Sequence, residues 1–314
     1  MVEVGKRKAD RPAAAWCSPD ECSACPARLR SAPAYESGAI ACDAATGLPH
    51  HLRTGCLHRV LPLARRDHGE LRPWFEPERP GPLVWPHIMR TGHGRCLVDR
   101  WPDPRTVLAE VAANVSLRGD PEHLSDLDEP MTGFVEAPDA FLAVLRELDP
   151  GLHVWDRVIF ELPGATPRLP QPSATVRRLT AADADTAAAL AEEIRWVAAT
   201  HGGPVELANS ELAWGAFATG RLVSVAVPFY LGEHYEDVGV VTEEAFRCRG
   251  LSTACAAAVV ADVRARGRRV SWTTSPDNTG SLGVAARLGF RPVREDVLYL
   301  MRTPIPGREP GSRH

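Results

Sequence analysis

The stretch that decides the fold is Val238-Gly239-Val240-Val241-Thr242-Glu243-Glu244-Ala245-Phe246-Arg247-Cys248-Arg249-Gly250-Leu251-Ser252-Thr253-Ala254. An apolar run ends in a basic turn that carries a glycine, and a helix leaves the turn. Leu251, Cys255, Val259 and Val263 recur every fourth residue, the spacing of one helix face. Gly267 stands where a helix of that length would stop. A turn that opens a helix presents free backbone N–H groups and the positive end of the helix dipole. That combination suits a phosphate. Gly250 lets the backbone come close to such a group, and Arg247 and Arg249 add positive charge.

Working outward, Ser271-Trp272-Thr273-Thr274 reads as the next strand. It is followed by Pro276-Asp277-Asn278, Ser281, Ala285 and Leu288-Gly289-Phe290. Arg247-x-x-Gly250-x-Ser252 resembles the Arg/Gln-x-x-Gly-x-Gly/Ala pyrophosphate loop of the GNAT acyltransferase superfamily. Asn278-x-x-Ser281 with Leu288-Gly289-Phe290 is similar to that superfamily's Asn-x-x-Ala/Ser…Leu-Gly-Phe signature. Both motifs stand in the right order, separated by one helix and one strand. The resemblance covers residues 174–301, and it departs from the common pattern at Ser252, where Gly or Ala is usual.

The resemblance implies a GNAT fold: α/β (α+β), with a mixed central sheet flanked by helices. It implies acetyl-CoA as donor and co-substrate, and an amine acceptor on a small molecule or peptide that attacks the thioester directly. Pyrophosphate contacts are expected from Arg247, Arg249, Gly250, Leu251, Ser252, Thr253 and Ala254. Backbone groups of Val240 and Val241 are expected beside the pantetheine arm, with an N–H near Val241 stabilising the oxyanion. Asn278 and Ser281 are further donor-side candidates, though each also suits the start of a helix. The amine must lose a proton before it attacks, and a nearby carboxylate can take it. Glu236 is the first candidate base, with Asp237 and Glu233 as alternatives. The tyrosine that many relatives use as acid falls at Ala285, which leaves Tyr299 as a guess for that role. The missing tyrosine also keeps open a reading from another class, a non-catalytic acyl-CoA-binding regulator or sensor.

The whole chain sets bounds. It has 314 residues, 44% of them hydrophobic, enough for two domains with real cores. A net charge of −4 gives no support for a nucleic-acid or anionic-membrane partner. No long apolar run suggests a membrane span, and the N-terminus does not read as a signal peptide, so the expected location is cytoplasmic. No metal ligand set is assigned. Cys17, Cys22, Cys25, Cys42 and Cys56 nevertheless crowd the N-terminal segment. Cys22-Ser23-Ala24-Cys25 supplies half of a zinc site, and no second pair completes it. Zinc, a weakly ordered extension with incidental cysteines, and translation starting near Met89 all stay open.

The expected organisation is an N-terminal extension over 1–83, weakly ordered or small and Cys-rich, then a smaller α/β lobe over 84–162. A Pro-rich linker over 163–173 leads to the acyltransferase domain over 174–303, and a tail covers 304–314. Within the lobe, Asp103-Pro104 is expected to open a helix whose inward face carries Val107, Leu108 and Val111. Ala187, Leu190, Ile194 and Val197 predict one helix after Thr180-x-x-Asp183, and Thr219-Gly220 predicts a hairpin turn. No second helix is expected before that hairpin.

Overall fold

The structure, a computed structural model, describes residues 61–124, 130–167 and 174–306. Twelve strands form one mixed sheet. The N-terminal part supplies β1 (Leu61–Pro62), β2 (Arg95–Val98), β3 (Thr106–Val111), β4 (Asn114–Gly119), β5 (Gly133–Glu136) and β6 (His153–Glu161). The C-terminal part supplies β7 (Thr175–Arg178), β8 (Trp214–Ala218), β9 (Arg221–Leu231), β10 (Tyr235–Thr242), β11 (Arg269–Thr274) and β12 (Arg291–Met301). The spatial order is β1-β2-β3-β4-β5-β12-β6-β11-β10-β9-β8-β7. The last strands of the two parts are therefore interleaved: β6 lies between β11 and β12, and β12 reaches over to β5.

Seven α-helices are described: α1 (Arg72–Phe75), α2 (Val84–Thr91), α3 (Leu142–Leu148), α4 (Ala184–Ala188), α5 (Pro204–Asn209), α6 (Leu251–Ala265) and α7 (Thr279–Leu288). The periodicity that predicts α6 is the one that packs it. Leu251, Cys255, Val259 and Val263 are buried against Val238, Val270 and Trp272 of the sheet and Leu288 of α7. The opposite face near β9 is covered by α2 and by a 3-10 segment at Glu192–His201. Among the described residues no helix is long and apolar enough to cross a membrane.

Four expectations are corrected. Residues 61–83 are not a loose extension: Leu63, Leu71 and Leu83 are buried with Trp85, Ile88 and Tyr235. The cysteines at 17–56 lie outside the described residues. The helix expected after Asp103 is strand β3, because Val107, Leu108, Ala109 and Val111 are all buried, on both faces, between β2 and β4. A run buried on both sides carries no alternation to separate it from a helix. The capping aspartate there is Asp99, whose Oδ1 accepts from the N–H groups of Arg105 (2.8 Å) and Thr106 (3.0 Å).

The capping box at Thr180 and Asp183 forms, but the helix behind it breaks into α4 and the 3-10 segment. Ala187, Leu190, Ile194 and Val197 are buried all the same. A second helix, α5, does precede the hairpin; Pro204 starts it and Leu207 and Ala208 bury its inner face. The hairpin turn forms at Thr219 and Gly220, both at positive φ (49° and 80°), as a two-residue turn of that hand requires.

Candidate active site

Strands β10 and β11 run parallel and pair only at Tyr235–Arg269, Glu236–Val270 and Asp237–Ser271. Beyond that point β10 pairs with β9 alone and β11 with β6 alone. The sheet opens there, and the edge of β10 that carries Val240 and Val241 faces the gap.

Pro228 shapes the other side of β10. It has no N–H to give to the ladder, so β9 slips register opposite Asp237 and Val238, and Phe229 is left out of the pairing. The freed carbonyls are taken up elsewhere. His201 Nε2 donates to the Pro228 carbonyl (2.8 Å), and the Thr200 hydroxyl donates to that of Phe229 (2.7 Å). His87 Nδ1 accepts the Leu231 N–H (3.1 Å), which leaves Nε2 to donate to the Thr200 carbonyl (2.9 Å). The bulge turns Phe229 and Tyr230 toward one cavity. Gly239 is needed beneath it, since a Cβ there would stand 3.1 Å from that of Phe229.

The cavity, about 120 Å³, lies at the opening of the sheet. Both parts of the chain wall it: Phe134, Glu136 and Arg157 from one, and Trp196, Asp237 and Thr273 from the other. Asp237 is 5% exposed, and its Oδ1 accepts from the hydroxyls of Ser271 (2.6 Å) and Thr273 (3.0 Å). Burial pushes its pKa up to about 6, although the two hydroxyls and the charge of Arg157 pull the other way.

Glu236 faces away from the cavity. Alternation along β10 turns it toward α6, where it is fully buried and paired with Arg266 (2.5 Å). Glu233 pairs with Arg72 (2.6 Å) in the β9–β10 turn, outside the cavity lining. Tyr299 also points away: Leu298 lines the cavity, while Tyr299 is buried with Phe141 and Leu145, its hydroxyl 3.2 Å from Asp139. Burial and Asp139 push its pKa up to about 12. Neither Glu236 nor Tyr299 reaches the cavity, and Ala285 is sealed in the core.

The turn after β10 leaves backbone N–H groups free at the start of α6. Gly250 caps α6 at φ 75°, a left-handed conformation, with open space where its Cβ would be. The first backbone bond of the helix runs from Ala254 to Gly250 (3.0 Å), so the N–H groups of Leu251, Ser252 and Thr253 lie ahead of the intrahelical ladder. Arg247 and Arg249 are exposed, the latter over the Phe246 ring at 5.1 Å. Ser252 is tied by its hydroxyl to Thr242 (2.6 Å), which ties in turn to Ser224 (2.7 Å). Cys248 is exposed and Cys255 buried. Asn278 caps α7, its Oδ1 accepting from the Ser281 N–H (3.0 Å), and the Ser281 hydroxyl accepts from Trp272 Nε1 (2.9 Å).

Arg157, Trp196, Phe229 and Thr273 were not expected at the site. Only the cross-strand register and the bulge bring them together. Pro228 in a long apolar run was the one local sign that β9 would be irregular there.

The parted sheet and the helix that follows its glycine turn agree with the resemblance to the GNAT acyltransferases. The family model described as GNAT acetyltransferase matches residues 176–299. A Streptomyces virginiae protein described as an uncharacterized N-acetyltransferase is 39% identical over 211 residues, 65% of this chain and 89% of its own. A GCN5-related N-acetyltransferase-like protein from Streptococcus suis 89/1591 has the same fold at a TM-score of 0.60. It is 19% identical, over 76% of this chain and 99% of that one. A GNAT-family acetyltransferase from Colwellia psychrerythraea gives 0.53 at 12% identity, over 77% and 99%. The chain belongs to the GNAT acetyltransferases and is an N-acetyltransferase.

Proposed function

We propose that the chain moves an acetyl group from acetyl-CoA to a primary amine by direct attack, with Asp237 as the base. The observation that carries this is Asp237 itself, a buried carboxylate in the cavity where β10 and β11 part. The turn from Arg247 to Ala254 would hold the pyrophosphate. The free edge of β10 at Val240 and Val241 would pair with the pantetheine, and its N–H groups would stabilise the oxyanion. Asn278 and Ser281 serve the start of α7 first.

The acceptor nitrogen attacks the thioester carbonyl and gives its proton to Asp237, the C–S bond breaks, and CoA leaves as thiolate. Asp237 is suited to this step. Its raised pKa makes it a better proton acceptor than an exposed aspartate, yet it stays ionised at neutral pH. No residue is assigned as acid, since a thiolate leaves readily at that pH and takes its proton from solvent.

The test is an amine panel with acetyl-CoA, following release of the CoA thiol and the mass of the product. Thiol release that requires an amine, with a matching acetylated product, is the expected result. Binding of acetyl-CoA with no turnover on any amine would sink it.

A further inference from the structure

We propose that Arg157 anchors a carboxylate of the acceptor, so that the acceptor is an amino acid with an apolar side chain. This rests on the acetyl-transfer reading of the same cavity.

Arg157 stands on β6, the strand that the N-terminal part inserts beside β11. Its guanidinium lines the cavity and lies 4.2 Å from the centre of the Trp155 ring. Its Nε is buried and has no hydrogen-bond partner among the described residues. The charges of Asp237 and Asp277 act on Arg157, while other carboxylates nearby hold other partners. Asp296, opposite Arg157 in register, holds Arg294 (3.0 Å). Glu136 holds Arg118 (2.8 Å) and Arg79 (3.4 Å). Asp237 gives one oxygen to Ser271 and Thr273.

Arg157 is half-buried, and a buried donor left unused, as its Nε is, is costly unless something comes to meet it. Burial lowers the Arg157 pKa to about 10, which leaves it charged at neutral pH. A planar fork of this kind suits a carboxylate, which it can bind through two parallel hydrogen bonds. The same cavity presents Asp237 to an amine. Two opposite charges in one small cavity match a molecule that carries both an amine and a carboxylate. The rest of the wall is mostly apolar, with Phe134, Trp196, Phe229 and Tyr230 as its aromatic members, and suits an apolar side chain.

A carboxylate could also arrive on the acyl group, so the test separates the two sources. Phenylalanine, its amide and phenethylamine are compared as acceptors with acetyl-CoA, and acetyl-CoA is compared with succinyl-CoA on phenethylamine. Wild type, Arg157→Gln and Arg157→Lys are used. The wild type should favour phenylalanine over its amide by at least about 10-fold in kcat/KM, the scale of a charge-assisted hydrogen bond. Arg157→Gln should erase that preference through KM for the acid, Arg157→Lys should restore part of it, and KM for acetyl-CoA should hold in all three.

Equal use of acid and amide by the wild type would overturn the proposal. So would an equal loss on all acceptors in Arg157→Gln. An Arg157-dependent preference for succinyl-CoA instead would move the carboxylate to the donor and overturn it too. If no amine is acetylated, calorimetry with N-acetylphenylalanine and its amide in the presence of CoA decides. Tighter binding of the acid that Arg157→Gln removes keeps the anchor while the transfer reading falls; equal binding of both overturns the anchor as well.

Discussion

Glu236 and Asp237 are neighbours in the chain, and a strand sends neighbours to opposite faces. Glu236 goes under α6 to Arg266, and Asp237 goes into the cavity. Replacing the base should cost on the order of 10²–10⁴ in rate. Asp237→Asn should therefore bind acetyl-CoA normally and turn over slowly, with a residual rate that climbs with pH as free amine accumulates. In the wild type, kcat/KM should rise with pH through about 6, as Asp237 ionises. Glu236→Gln should keep near-normal turnover. Slow turnover in Glu236→Gln with full activity in Asp237→Asn would reverse the assignment.

The same carboxylate makes a statement about stability. Its folded pKa is raised, so the folded state holds the proton more tightly than the unfolded chain does. Its favourable contribution is complete below the unfolded value near 3.8 and is lost as pH rises through about 6. Asp237→Asn should therefore gain on the wild type between pH 4 and pH 8, by up to roughly 3 kcal/mol. Denaturant unfolding at the two pH values checks the sign. Gly250 is a second single-residue test. A side chain there would be strained at φ 75° and would project into open space, where the pyrophosphate is expected. Gly250→Glu should fold and lose acetyl-CoA binding; unchanged affinity in a calorimetric titration would remove the turn from the donor site.

At the scale of elements, the bulge in β9 depends on partners from distant segments. His87 comes from α2, Thr200 and His201 from the 3-10 segment, and all three are buried. Burial lowers the His87 pKa to about 4 and lowers that of His201. A protonated His87 would carry a hydrogen on Nδ1 and could no longer accept the Leu231 N–H. With a depressed folded pKa, the contribution of His87 is complete above the unfolded value near 6.5 and is lost as pH falls through about 4. The Leu231 amide should lose protection from hydrogen exchange over that range, ahead of the α6 amides. Equal protection of both down to pH 4 would show that the bulge does not rest on His87.

What the sequence revealed also divides by scale. The turn at Gly250 and the face Leu251–Cys255–Val259–Val263 were legible because helix spacing and glycine are local signals. The buried Cys255 followed from the same face. Choosing between Glu236 and Asp237 was a question of parity along a strand, and parity needs a register that no local pattern supplies. Arg157 was hidden for a related reason. Val154, Val158 and Phe160 mark one face of β6, so Arg157 reads as a solvent residue on the other. The second face is covered by side chains from distant segments, among them Phe134 of β5, which meets Trp155 beside Arg157. The strand misread as a helix, β3, fails through burial on both faces rather than through propensity.

At the scale of the whole molecule, residues 61–83, expected as part of a weakly ordered extension, are tied into the fold. Glu78 accepts hydrogen bonds from three N–H groups in the β9–β10 turn, those of Glu233 (2.8 Å), His234 (2.8 Å) and Tyr235 (2.7 Å). That turn leads directly into the strand that carries Asp237. Arg72 pairs with Glu233 in the same turn, and Leu63, Leu71 and Leu83 fill a core cluster with Tyr230 and Tyr235. Removing a buried leucine side chain costs about 2–5 kcal/mol, and net stability is typically about 5–15 kcal/mol. A chain begun at Val84 loses three such leucines together with Glu78, so it should lose cooperative unfolding and activity. Glu78→Ala in the full chain is the milder version. It should stay folded, with a lower Tm and reduced kcat, because the turn no longer holds β10 in register beside β11. A chain begun at Val84 with wild-type Tm and turnover would show that residues 61–83 only cover the surface. Loss of both in that chain, with the intermediate result for Glu78→Ala, would show that this segment fixes the strand on which the base stands.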